Sequence, residues 1–299
     1  IKAATELRIA LDCQEIVPTG GHGREPDATT AEMMTRYHVI ICPTRHSLTH
    51  TKATRAAIAA GSRVATMPGI SEELFCAGLA ISPGELRTAG KRWLALLEGK
   101  RTIHIRSAAG SDLTFGLGRY PLFNDDGGLT TPGCYGNLPA GEVFFSPNPG
   151  SANGTIVFDS TISGMPHQPG AEPAVVTIKS GNATAFSGSR GLELQKALAK
   201  AGPRSTLLAE FGIDTHPGLT LSGSLLGDEK LKGSVHLAFG NNCALGGNND
   251  VPVHLDALVL NVYRDLLALT DGWHVCRIWN YVPDINGETT GLENYRRFN

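Results

Sequence analysis

The sequence predicts an α/β protein with a Rossmann-like N-terminal lobe and a β-rich second lobe. Residues 38–69 follow a strand–helix–strand pattern, and from residue 100 onward short β-rich runs separated by turns take over. A third observation, histidines and a carboxylate among glycines at 233–256, places the chemistry in the second lobe.

In the first lobe, HVIICP (38–43) is an apolar run of strand length closed by a proline. HTKATRAAIAAG (50–61) is rich in alanine, the best helix former, and stops at Gly61. RVATMPG (63–69) is the next strand. Strands in this order pair in parallel through a right-handed crossover. ELRTAGKRWLALLEG (85–99) predicts a second helix with Leu86, Trp93, Leu94 and Leu97 roughly on one face. The unit lacks a G-x-G-x-x-G turn, so nothing supports dinucleotide binding.

The second lobe reads as strands at RTIHIRS (101–107), EVFFSP (142–147), TIVFDST (155–161), AVVTIKSG (174–181), NATAFSG (182–188), STLLAEFGI (205–213), SVHLAFG (234–240) and HLDALVLNV (254–262). One helix, GLELQKALAKAG (191–202), interrupts them. The expected units are therefore 1–99, 100–261 and an appended segment, 262–299, which holds two of the three tryptophans and three of the six tyrosines.

Composition narrows the function. With 26 basic and 28 acidic residues the net charge is −2, which gives no general pull toward nucleic acid or an anionic membrane. No apolar run reaches the roughly 18–20 residues of a membrane span. The cysteines at 13, 42, 76, 134, 243 and 276 are scattered and form no C-x-x-C pair, which fits a reducing cytoplasm better than a disulfide scaffold.

The candidate chemistry starts at His254 and Asp256. At i, i+2 on a strand both side chains point to one face, and an imidazole beside a carboxylate is half of a metal site. His236 lies upstream in VHLAF, joined to them by a glycine-rich link. A lone histidine in an apolar strand is more often a hydrogen-bonded core residue; the combination points to a metal. Glu142 follows a turn stiffened by proline and glycine in PGCYGNLPAGEVFFSP (132–147). Glu210 ends an apolar run in TLLAEFGIDTHPG (206–218), where a carboxylate must be paired or metal-bound. Three carboxylates and two imidazoles suit one or two divalent ions such as Zn, Co or Mn. Asp228-Glu229-Lys230 reads by default as a solvated turn, with a supporting carboxylate as its alternative.

GNLPAGEVFFSP, AEFGI, DEKLKGSVHLAFGNN and GGNNDVPVHLD resemble motifs of the aminopeptidase T-type metallo-aminopeptidase family. SLTHTKATRAAIAAGSRVATMPGI resembles the N-terminal lobe of its shorter, leucyl-aminopeptidase-like members, and the likeness runs over about 1–260. The resemblance implies two metal ions held by Glu142, Glu210, His236, His254 and Asp256, with Glu142 or Glu210 moving the proton. It implies a metal-bound hydroxide that hydrolyses the N-terminal bond of a peptide. The peptidases carry a tyrosine seven residues beyond the VHxAFG histidine; Cys243 stands there. The same superfamily includes dihydroxypyridine ring-cleaving dioxygenases with one Fe(II), which is the alternative reading; an inactive fragment is a further one. CRIWNYVPDINGETTGLENYRRFN (276–299) resembles the start of a chorismatase, with Trp279, Asn280, Tyr281 and Asn286 on its motif. The expected partner is a small peptide or other small molecule, with no nucleic acid and no membrane, and the chain is expected to form a homo-oligomer.

Overall fold

The computed structural model describes residues 2–247 and, beyond them, the backbone at 258–261, 267–269, 274–276, 288–289 and 292–293. His254 and Asp256 lie outside the described residues.

The chain opens with α1 (Lys2–Glu6) and α2 (Ala28–Met34). Strand β1 (Val39–Cys42), helix α3 (Lys52–Ala59) and strand β2 (Arg63–Thr66) form the expected crossover, with β1 and β2 parallel. Thr51 caps α3 by accepting from the Thr54 amide at 3.1 Å. Helix α4 (Glu72–Leu79) follows, capped by Ser71 and carrying Glu72 and Glu73 in its positive first turn. Helix α5 (Pro83–Leu97) starts on proline after the cap Ser82.

The remaining elements are β3 (Thr102–Arg106), β4 (Asp112–Gly116), β5 (Phe123–Asp125), β6 (Tyr135–Asn137), β7 (Glu142–Phe145), β8 (Asn153–Phe158), β9 (Ala174–Lys179) and β10 (Asn182–Ser187). Then come α6 (Ser189–Ala201), β11 (Leu208–Asp214), α7 (Leu225–Asp228), β12 (Val235–Phe239), β13 (Leu258–Asn261), β14 (Leu267–Leu269), β15 (His274–Cys276), β16 (Glu288–Thr289) and β17 (Leu292–Glu293).

Among the described residues these strands build three main sheets. The first is parallel, in the order β1-β2-β6. It has three strands, so the structure establishes a mixed α/β fold and not a full Rossmann arrangement. Its third strand comes from residues 135–137, inside the stretch the sequence assigns to the second lobe. The other sheets are antiparallel: β10-β9-β8-β4-β3-β14-β15 and β13-β12-β11-β7-β5. Helix α5 packs on β5 and β7 and puts Leu97 into their core, although the sequence assigns it to the first lobe.

The two antiparallel sheets face each other across one apolar core. Ile103 and Ile105 of β3, Leu113 and Phe115 of β4 and Val176 and Ile178 of β9 meet Val143, Phe211, Ile213, Val235 and Leu237 of the five-stranded sheet. Phe115 lies 4.9 Å from Phe211, and Phe145 lies 5.6 Å from Phe211, ring centre to ring centre. Tilted ring pairs at such distances add to the area they bury. Leu194 and Leu198 of α6 close one side. Every second residue of β7, β11 and β12 is spent on this core, which turns the residues between them to the opposite face.

Candidate metal centre

That opposite face carries Glu142 on β7, Glu210, Gly212 and Asp214 on β11, and His236 on β12. Strand register aligns them: Asp214 is opposite Glu142, Gly212 is opposite His236, and Asp125 of β5 is opposite Glu142 on its other side. The turn before β7 is tightly built. Gly141 has φ +127°, and a Cβ there would meet His216 at 2.8 Å, so a glycine is required to lead the chain into Glu142.

His236 is the hub. Its Nε2 lies 3.2 Å from Glu142 Oε2 and 3.2 Å from Glu210 Oε1. Its Nδ1 lies 2.8 Å from Asp214 Oδ1. The ring rests on the backbone of Gly212: a Cβ at that position would come within 2.0 Å of Cε1. Asp214 is held in turn by the Ser234 hydroxyl at 2.6 Å. A carboxylate on one ring nitrogen orients the other nitrogen and makes it a stronger ligand.

One atom is out of balance. Glu142 Oε2 is buried and has no hydrogen-bond partner among the described residues. Buried carboxylate oxygens are rarely left so. The ligand atoms of Glu142, Glu210 and His236 lie within 4.8 Å of one another, a spacing that fits one shared cation. Two carboxylates and an imidazole, with no thiolate, suit Fe(II), Mn or Zn.

The electrostatics follow from burial and pairing. Burial alone would lower the His236 pKa, but the charge and hydrogen bond of Asp214, with Glu210 and Glu142, hold it well above the usual imidazole range. Burial raises Asp214 to about 6 against the pull of His236. Burial would also raise Glu210, yet the hydrogen bond and charge of His236 keep it below the ordinary value.

Asp228, Glu229 and Lys230 form no solvated turn. All three are buried, because α7 folds them inward beneath the site. Asp228 accepts from Thr161, from the amide and hydroxyl of Ser222 and from the Gly223 amide, which fixes the loop. The Lys230 ammonium reaches Glu142 Oε1 at 2.5 Å and Glu229 Oε1 at 3.2 Å. Burial pushes Glu229 to about 7 and Asp125 to about 7, each eased by the lysine charge.

On the far side stands the parallel sheet. Thr49 contacts Thr66 at 2.7 Å and Asn137 at 3.0 Å, which ties the loop before α3 to the ends of β2 and β6. His50 follows. Its surface is open to solvent, and the protein around it lowers its pKa by desolvation against the charge of Glu210. The crevice beyond the carboxyl ends of parallel strands is where open α/β sheets bind ligands.

The structure thus brings together Glu142, Glu210 and His236 of the five sequence candidates. Asp214, Lys230 and His50 were not among the candidates. Asp214 had a signal: it shares a strand face with Glu210 at i+4.

The sequence model of a family described as 2,5-dihydroxypyridine 5,6-dioxygenase matches residues 11–201, well over half of the chain. The chain belongs to that family. A curated 2,5-dihydroxypyridine 5,6-dioxygenase from Pseudomonas putida KT2440 is 29% identical over 184 residues, 57% of this chain and 53% of the relative. The chain thus spans about half the length of that curated dioxygenase. The solved 2,5-dihydroxypyridine dioxygenase structure from the same organism superposes with a TM-score of 0.72 at 20% identity, covering 95% of this chain and 87% of that one. AmpT from Thermus thermophilus superposes with a TM-score of 0.57 at 16% identity, covering 85% of this chain and 79% of that one. At these identities the structural likeness speaks for the fold alone. The resemblance to aminopeptidase T-type proteins is therefore one of fold, and the family is the dioxygenase that the sequence reading held second. A second model, described as the N-terminal part of a chorismatase, matches residues 236–299 and so begins upstream of the boundary expected at 262.

Proposed function

We propose that the chain is a non-haem iron enzyme that opens a dihydroxylated pyridine ring with dioxygen. Membership of the dioxygenase family, laid over the His236–Glu142–Glu210 cluster, carries this reading. His236 Nε2, Glu142 Oε2 and a Glu210 oxygen would hold the ion, and His254 and Asp256 are proposed as its further ligands. Bound Fe(II) would supply the one-electron steps that let dioxygen react with an aromatic ring.

The chain's own residues do the rest. Asp214 keeps the Nδ1 proton of His236 and so presents Nε2 as the ligand. His50, solvent-exposed and within reach of the Glu210 charge, is proposed to take a proton from a substrate hydroxyl. Thr49, tied to Thr66 and Asn137 at the ends of β2 and β6, supplies a hydroxyl on the side proposed to receive the ring. Glu210 keeps its negative charge toward that side and favours binding of a neutral ring over a preformed anion.

A second reading is peptide-bond hydrolysis by two Zn, Co or Mn ions. The pair of glutamates on one histidine favours it, since a bridging carboxylate is usual between two ions. Cys243 in place of the peptidase tyrosine argues against it, because an oxyanion donor is missing. The test is direct. Protein loaded anaerobically with Fe(II) is given 2,5-dihydroxypyridine and dioxygen. Loss of ring absorbance matched mole for mole by oxygen uptake supports the dioxygenase. An inert ring, together with hydrolysis of an aminoacyl anilide by Zn-, Co- or Mn-loaded protein, replaces it with the hydrolase.

A further inference from the structure

Lys230 is buried to 2% exposure beside the candidate metal ligands, and the proposed function gives it no task. A buried ammonium costs several kcal/mol unless its charge is met. Here it is met by three carboxyl groups. Its Nζ touches Glu142 Oε1 at 2.5 Å and Glu229 Oε1 at 3.2 Å, and Asp125, aligned with Glu142 on the next strand, is the third carboxyl group acting on it. The backbone fixes the position: the Lys230 amide bonds to the Gly227 carbonyl, and its own carbonyl accepts from His216.

The two oxygens of Glu142 therefore have different neighbours. Oε1 belongs to the lysine, and Oε2 faces His236 without a hydrogen bond. In a two-metal site a carboxylate of this kind bridges, with one oxygen on each ion and the ions roughly 3.5–4 Å apart. A second ion bound to Oε1 through a bond of about 2 Å would stand within about 5 Å of the ammonium, like charge facing like charge.

We propose that the Lys230 ammonium is a built-in second cation, which occupies Glu142 Oε1, leaves that residue one oxygen to offer, and fixes the centre at one divalent ion per chain. The inference rests on the proposed metal-dependent reading and deepens it. It explains how a second glutamate beside the histidine need not recruit a second ion in a one-metal reaction. Lys230 is a positioning residue: it acts on the ion through Glu142.

The experiment counts Mn(II), which is stable in air and visible by electron paramagnetic resonance. The wild type should bind about one Mn(II) per chain with the spectrum of an isolated ion. Lys230→Met should admit a second, raising the count to about two with an exchange-coupled spectrum, while Lys230→Arg should stay at about one. Lys230→Met with Glu229→Gln removes the charge left unpaired and keeps the count measurable if the single variant does not fold. A coupled pair in the wild type overturns the inference, and so does a folded Lys230→Met form, single or double, that saturates at one ion. Should neither variant fold, the wild-type spectrum decides. Ring cleavage assayed in parallel separates the two claims. A wild type that binds two ions yet cleaves the ring overturns this inference alone. One that binds a single ion and leaves the ring intact overturns the functional reading alone.

Discussion

The five-stranded sheet has two faces made by the same strands, one residue out of step. Its inner face is Val143, Phe145, Phe211, Ile213, Val235, Leu237 and Phe239, all buried and apolar. Its outer face is Glu142, Glu210, Gly212, Asp214 and His236. The inner face stabilises the fold by removing apolar surface from water. The outer face works against it, since burial holds Asp214, with Asp125 and Glu229 next to the site, at raised pKa values, and Glu142 Oε2 lacks a hydrogen-bond partner among the described residues. The stable face thus carries the reactive one, and a bound cation would return part of the cost.

Substitutions on the two faces should therefore fail in different ways. His236→Ala should have the largest effect, lowering Mn(II) affinity by more than about 10³-fold, well beyond the 10–100-fold typical of an outer partner. Calorimetric titration checks it, and retained binding would remove His236 from the ligand set. Phe211→Ala on the inner face should cost about 3–5 kcal/mol of stability in urea while the folded protein keeps its metal count. Loss of metal at unchanged stability would contradict the division between faces.

Gly212→Ala tests the join between the faces. Its Cβ would sit 2.0 Å from His236 Cε1, so the ring must move. Metal affinity should fall by roughly 10²-fold or more, with a smaller change in melting temperature. Asp214→Asn keeps the shape and removes the charge behind His236 Nδ1. It should weaken metal binding by about 10–100-fold, and an unchanged affinity would show that Asp214 merely fills space.

The smallest effect is in pH. Glu229 has an ordinary value of 4.5 and is raised to about 7 in the fold. The native state then holds this proton more tightly than the unfolded chain. Its contribution is fully present below about pH 4.5 and is lost as the pH rises through 7. The metal-free Glu229→Gln variant should therefore gain on the wild type between pH 5 and 8, by on the order of 1 kcal/mol. A constant difference across that range would refute the assignment.

Much of this was written in local patterns. The crossover β1–α3–β2 follows from two apolar runs around an alanine-rich segment, with Thr51 and Gly61 as its stops. Glu142, Glu210 and His236 stand out because each is a polar residue bordering or within an apolar run. Asp214 was equally visible by period two from Glu210, but the D-T-H-P-G that follows reads as a turn and masks it. Helix α4 had its signal in Ser71-Glu72-Glu73, a cap followed by acidic residues. The burial of Lys230 had none. A run of charges solvates by default, and this one is drawn inward by contacts with Glu142, 88 residues away. Strands β5 and β6, three residues each, are too short to show any period.

Strand β6 has a consequence for how the molecule comes into being. Strand β2 is flanked by β1, made just before it, and by β6, whose contact with Thr66 spans 70 residues. As the chain leaves the ribosome, one edge of β2 waits for that partner, and α5 waits for β5 and β7. Exposed edges are adhesive, so a fragment released near residue 99 should cling to other chains rather than fold. The parallel sheet and the metal-bearing sheet are interleaved in time as well as in space. A cut at that point leaves β2 with one unpaired edge and α5 without the strands it packs on.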